Sequence, residues 1–262
     1  SSRPYDPYGF WAEFEEVEGG TLQVPVSRPD IINQFRADFR LRRQNEPGLS
    51  IVIPYPDESI THLEITRALL VHYYWPILAG DLVCTVRSSG AEARVDASTI
   101  GQRLNELDLE VPARQRLGKR IDFARWAIAQ SPDERYEMRV PHDAVPEWEA
   151  IQWDEADRER MADRFAQGER LGVRVVLPIQ RADQPEPTLS EFHVFLEYDD
   201  RLAQSDDQYI RAGLTITKLE GKAGAGVRAV LVVATDEPLA QLLGDCESPS
   251  HDNWELRGEG YR

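Results

Sequence analysis

Cysteine is scarce, with Cys84 and Cys246 as the whole complement. Two thiols give no disulfide framework and suit a reducing compartment. Cys84 sits in the apolar run Asp81–Val86 and reads as a small core residue. Positive charge is short as well: 30 Lys and Arg stand against 46 Asp and Glu, a formal net charge of −16. Nucleic acid rewards a basic surface, so DNA and RNA are poor general partners for this chain. The same acidity favours solubility and repels anionic membranes. Long apolar runs are missing, and nothing approaches the roughly 18 residues of a membrane span. A starting methionine and a signal-peptide core are also missing, since the chain opens Ser1-Ser2-Arg3-Pro4. Together these absences read as a cytoplasmic piece of a longer protein. Lysine is nearly absent too, with only Lys119, Lys218 and Lys222 among the 30 basic residues. That bias reflects either genomic base composition or a use of guanidinium forks for carboxylate and phosphate.

What is present is enough for real cores. The chain has 262 residues, comfortable for two domains, and 41% hydrophobic content. Residues 8–17 and 21–26 read as a hairpin turning at Gly19-Gly20. A helix over 29–39 opens on Pro29 and Asp30 and carries Ile31, Ile32, Phe35 and Phe39 at helical spacing. Glu46-Pro47-Gly48 is a turn, and Leu49–Pro54 a short, fully apolar strand. Thr61 and Glu64 have capping-box spacing before an apolar helix expected over 60–75 and ending near Pro76. A hairpin over 81–87 and 92–96 and helices over 98–108 and 112–130 come next; 131–153 reads as irregular, then a charged helix covers 153–170. The last third reads as strands at 173–180, 189–198, 209–217 and 227–234, then a helix at 236–244. Phe192, Val194, Leu196 and Tyr198 alternate with Glu191, His193 and Glu197, and Arg211 extends the polar set. This predicts an antiparallel sheet with one wet face.

No motif completes a catalytic constellation. Gly221-Lys-Ala-Gly-Ala-Gly226 lacks the Ser or Thr of a phosphate loop and joins two strands, so it reads as a turn. Ser250, His251 and Asp252 are adjacent and cannot converge as a triad. His62, His72, His142, His193 and His251 are scattered, without zinc-site spacing. Asp199-Asp200 and Asp206-Asp207 flank one loop, a solvated turn or a weak cation site. The cationic runs 36–43 and 114–120 are helix faces paired to carboxylates, or contacts to phosphate or an acidic partner. Arg40, Arg42 and Arg43 either complement the negative end of the preceding helix or reach a carboxylate of a downstream domain. His72–Pro76 (HYYWP) is either core or a hydrophobic interface.

The stretch Tyr8–Pro54, with Glu46-Pro-Gly-Leu-Ser-Ile-Val-Ile-Pro54 at its end, resembles the last strands of a GHKL-type ATPase domain. That fold is shared by type II topoisomerases, mismatch-repair ATPases, histidine kinases and the ninety-kilodalton chaperones. With the helix after it and Tyr73–Gly80, the run is similar to large bacterial proteins that begin with such a domain. In the family a late strand opens Gly-Thr, and the Thr joins the water network around adenine. Here Leu49 stands after Gly48, and Ser50 carries the next hydroxyl. The resemblance therefore implies Gly48 and Ser50 as cofactor-contacting positions. The family's catalytic Glu, metal-binding Asn and D-x-G-x-G turn match nothing before Gly48, so the resemblance implies ATP and Mg for a parent protein and no cofactor completed by this chain.

The expected class is α+β, a mixed N-terminal segment followed by a mainly antiparallel, transducer-like sheet with helices. The expected segments are 1–57, the ATPase edge; 58–145, a helix and hairpin subdomain; and 146–262, the sheet. The expected function is a regulatory or transducer portion coupling nucleotide state to a partner or a homodimer contact, with the upstream ATPase domain as first partner. A nucleotide-independent protein-interaction module is the alternative. No membrane partner is expected, no metal site, and no catalytic residue.

Overall fold

The computed structural model describes residues 12–18, 20–43, 46–88, 90–141, 154–181, 184–200, 202, 205–219, 228–248 and 253–254. The chain divides into two units, Ser1–Glu58 and Ser59–Arg262. The loop 221–226, His142 and the triplet Ser250–Asp252 lie outside the described residues.

In the first unit β1 (Ala12–Val17) and β2 (Gly20–Pro25) form an antiparallel hairpin, in register from Ala12 opposite Pro25 to Val17 opposite Gly20. Glu13 ties the end of the hairpin, its Oε2 accepting from the Ser27 hydroxyl at 3.0 Å. Helix α1 (Pro29–Asp38) starts on Pro29, whose missing N–H belongs to the unsatisfied first turn in any case. Phe35 and Phe39 meet across one turn, ring centroids 4.7 Å apart. No described residue of this unit is buried. Beyond α1, the expected strand over 49–54 has no ladder partner among the described residues and runs as open chain. The reason is physical: a strand exists only in a sheet, and nothing described pairs its amides.

The second unit begins with α2 (His62–His72), whose N-cap Thr61 accepts from the Glu64 amide at 3.2 Å. The helix does not run to Pro76. It stops at Tyr73, and α3 (Tyr74–Ala79) restarts with Pro76 in its first turn, where no intrahelical donor is lost. Hairpin β3 (Cys84–Ser88) and β4 (Ala91–Val95) turns through Gly90 at φ 86°. Asp96 then gathers the Ser98 and Thr99 amides, both at 3.0 Å, ahead of α4 (Ile100–Glu106). The Ser98 hydroxyl and the Arg94 guanidinium first, then the amide and hydroxyl of Thr99, hold the Asp96 carboxyl well below the usual range against its desolvation. The long helix α5 (Val111–Ala129) buries Leu117, Ile121, Phe123, Ala124 and Ala127 in one cluster with Leu70, Tyr74, Ile77 and Leu104.

A six-stranded mixed sheet completes the unit in the order β5-β6-β7-β10-β8-β9. Its strands are β5 (Tyr136–Arg139), β6 (Leu171–Ile179), β7 (Thr188–Tyr198), β8 (Asp206–Arg211), β9 (Leu214–Thr215) and β10 (Arg228–Ala234). Helix α6 (Glu155–Ala166) lies between β5 and β6 in sequence, and those strands pair in parallel as a β-α-β unit. Helix α7 (Glu237–Asp245) comes after β10. Three expectations change here. β5 falls in the stretch read as irregular. The strand over 209–217 breaks into β8 and β9 at Ala212-Gly213. β10 pairs antiparallel with β7 but parallel with β8, not as a hairpin with it. The α+β class stands, and the sheet joins residues from both sides of position 145.

The wet face is also corrected, because both faces of the sheet are covered. Phe195 shares a face with His193, Leu231 and Val233 and packs edge-on against Trp126 of α5, centroids 5.9 Å apart. The other face sets Phe192, Ile179 and Ala234 against Leu239 and Leu242 of α7, and Tyr198 against Phe165 of α6.

Candidate functional site

Gly48 stands in the exposed part of the first unit at φ 130°, a backbone region that glycine adopts without a Cβ penalty. The Arg43 guanidinium lies over it and donates to the Leu49 carbonyl. Arg43 is thus spent locally, and no ion pair of Arg40 or Arg42 is found among the described residues. Ser50 is exposed, and neither Gly48 nor Ser50 lines a described cavity. The chain around Ser50 is unusually apolar for its exposure: Leu49, Ile51, Ile53 and Tyr55 are 76%, 76%, 68% and 99% exposed. Phe14 and Leu22 of the hairpin are exposed as well.

The second unit holds a different kind of site. Helix α5 is apolar over its C-terminal half, where Phe123, Ala124 and Ala127 close on the sheet. Its N-terminal half turns Gln115, Arg116, Lys119 and Arg120 to the same side. Such a face cannot pack dry on a sheet, so the helix stands off on ion pairs. Both oxygens of Asp206, on β8, are taken: Arg116 Nη2 donates to Oδ1 at 2.7 Å, Arg120 Nη2 to Oδ1 at 2.5 Å and Arg120 Nε to Oδ2 at 3.0 Å. Lys119 reaches Asp199 beyond the end of β7. On the other flank Arg170 bridges Asp122 at 2.6 Å and Glu197 at 2.7 Å, with its guanidinium over the Phe123 and Trp126 rings.

Between these pillars lies a cavity of about 600 Å³ with Ala229, Val230 and Leu231 as its floor. Burial alone would raise the Asp206 carboxyl, but the guanidiniums of Arg120 and Arg116 outweigh it and hold the group below its usual range. Tyr74 lines the same cavity, and its phenol is pushed up by burial.

The structure thus joins two features read separately from sequence, the 114–120 cations and the Asp199 and Asp206 carboxylates. Arg116, Lys119 and Arg120 answer Asp199 and Asp206, and no group of three possible metal ligands is found among the described residues. Sequence distance hid the pairing, since some 80 to 90 residues separate the partners. Tyr74, Trp75 and Pro76 of HYYWP are buried and belong to the core, while His72 and Tyr73 are exposed. His193 is not a surface group either: its Nδ1 accepts from Arg135 Nη1 at 3.1 Å, and Arg135 lies over the Phe195 ring. Among the described residues no helix is long and apolar enough to cross a membrane. Comparison with family models, with curated proteins and with solved structures finds no match to this chain.

Proposed function

We propose that this chain is the non-catalytic coupling portion of a GHKL-type ATP-binding protein. In this reading the first unit lends strands to the sheet of an ATPase domain, and the second is the transducer-like body that passes nucleotide state to a partner or dimer contact. The observation that carries it is the run Leu49–Tyr55. Alternate residues there are apolar and 68–99% exposed, and the intervening Val52 is apolar too. A segment fully apolar on one face and apolar on the other except at Ser50 is close to the pattern of a strand buried in a sheet, and exposure on this scale marks an interaction surface. The resemblance of Glu46–Pro54 to a late ATPase strand supplies the identity of that sheet. Gly48 and Ser50 would then sit at its adenine edge, with ATP and Mg held by the ATPase domain.

Hydrogen exchange tests this. Amides of residues 49–55 should exchange freely in this chain. In a polypeptide that also carries the ATPase domain they should slow by more than about tenfold, and further with Mg-ATP. Protection already present in this chain, or none in the longer polypeptide, overturns the proposal. Protection without nucleotide response favours the interaction-module alternative, which the same exposed run supports.

A further inference from the structure

We propose that the cavity between α5 and the sheet binds a small organic anion, its acidic head on Arg116 and Lys119 and its apolar body on the β10 floor. This is independent of the coupling function. Space is the first observation: about 600 Å³ is the size of a small-molecule site, and apolar walls with a few converging polar groups are its usual lining.

Donor balance is the second. Asp206 accepts four guanidinium bonds and has no oxygen to spare. Arg116 spends Nε and Nη2 on that one carboxylate, which leaves Nη1 without a protein partner among the described residues. Lys119 spends its three-donor ammonium on Asp199 alone among the described residues. Their side chains are 49% and 36% exposed, so the surplus donors stand at the mouth while the saturated carboxylates sit within. Asp122 and Glu197 also line the cavity and are held by Arg170, so the unmet valence beside Arg116 and Lys119 is for an acceptor.

The third observation is that stability does not explain the arrangement. Partly buried ion pairs roughly offset their own desolvation, and an apolar helix face would have closed the gap at ordinary packing density. Instead the polar half of α5 holds the space open beside Phe123, Val230 and Leu231. Carboxylate and phosphate heads satisfy the same donors, because both present several lone pairs to a guanidinium and an ammonium.

The test is calorimetric titration of the full chain with four probes: 2-naphthoate, naphthyl phosphate, neutral 2-naphthamide and inorganic phosphate. One of the two naphthyl anions should bind at one site with a Kd at or below about 1 mM. The amide and inorganic phosphate should each bind at least about tenfold more weakly, since one lacks the charge and the other the apolar body. The tighter naphthyl arm identifies the head group. Arg116→Gln and Lys119→Gln, at half-exposed positions, should each weaken the anion about tenfold and leave the amide unchanged. Nuclear Overhauser contacts from the naphthyl protons should reach the Ala229 and Leu231 methyls, which share the face under α5. Equal binding of acid and amide, no loss in either variant, no saturable binding, or contacts confined to Leu49–Tyr55 would each overturn the proposal.

Discussion

At the scale of the residue, two polar groups sit where water does not reach them freely. Glu247 is buried and held by Arg211, with Nη2 to Oε2 at 2.8 Å, while the Trp254 indole donates to Oε1 at 3.3 Å. Removing the arginine strands the carboxylate, so Arg211→Leu should cost about 3–5 kcal/mol in denaturant unfolding. The double variant Arg211→Leu/Glu247→Leu should recover part of that loss. A double variant no better than the single would mean that packing, and not stranded charge, sets the cost. His193 offers a separate test. Arg135 must donate to Nδ1, so the ring proton is on Nε2, which faces Glu191 Oε1 at 3.5 Å. Burial first, then Arg135 and Arg174, lower its pKa against the opposing pull of Glu191 and Asp236.

Below about pH 6.5 the unfolded chain takes up a proton that the folded chain refuses, so stability falls as pH falls through that value. His193→Gln should flatten this part of the stability–pH curve, and the His193 ring should titrate below its ordinary value by NMR. Titration at or above it would sink this account. Asp206, held low by its arginines, loses its contribution only at more acid pH, as it falls through and below the ordinary carboxylate range.

At the scale of the element, local chemistry is legible in the sequence and pairing is not. Thr61 is readable as an N-cap because its hydroxyl answers an amide three residues on. The β3–β4 and β6–β7 hairpins are readable because turn residues separate adjacent strands. The parallel pairs β5–β6 and β8–β10 are not, since nothing in a strand names a distant partner. For the same reason the face that carries His193 and Phe195 reads as wet: its cover, α5 together with Tyr74 and Ile77 of α3, arrives from far upstream. The candidate cavity is legible only as its separate halves, a cationic run and an acidic loop. The β8–β9 turn shows a conflict that sequence pattern alone misses. Ala212 at φ 45° and Gly213 at φ 85° form a two-residue turn with both angles positive, which alanine adopts under strain. Ala212→Asn should therefore stabilise by roughly 1 kcal/mol and Gly213→Ala should destabilise by a similar amount, in opposite shifts of Tm. Shifts of the same sign would refute the turn assignment.

At the scale of the whole molecule, the two units differ in what holds them. The second has a buried cluster that runs from Leu70 through α5 to Phe195, Ile210 and Leu231. The first has a hairpin, one helix and no buried described residue. Two strands and a helix without an interior fall below what hydrophobic burial can stabilise against chain entropy. Its apolar residues are instead spread outward, at Phe14, Leu22, Leu49 and Ile51. That is the distribution expected of a piece whose interior is completed by another sheet, and it bears directly on the proposed coupling function. Residues 59–262 expressed alone should therefore unfold in one cooperative transition, whereas residues 1–58 alone should give the far-UV dichroism of an unfolded chain. Adding the ATPase domain proposed as its partner to the short piece should restore strand signal. A short piece that folds cooperatively by itself would show that its exposed apolar residues are not awaiting a sheet, and the coupling proposal would lose its main support.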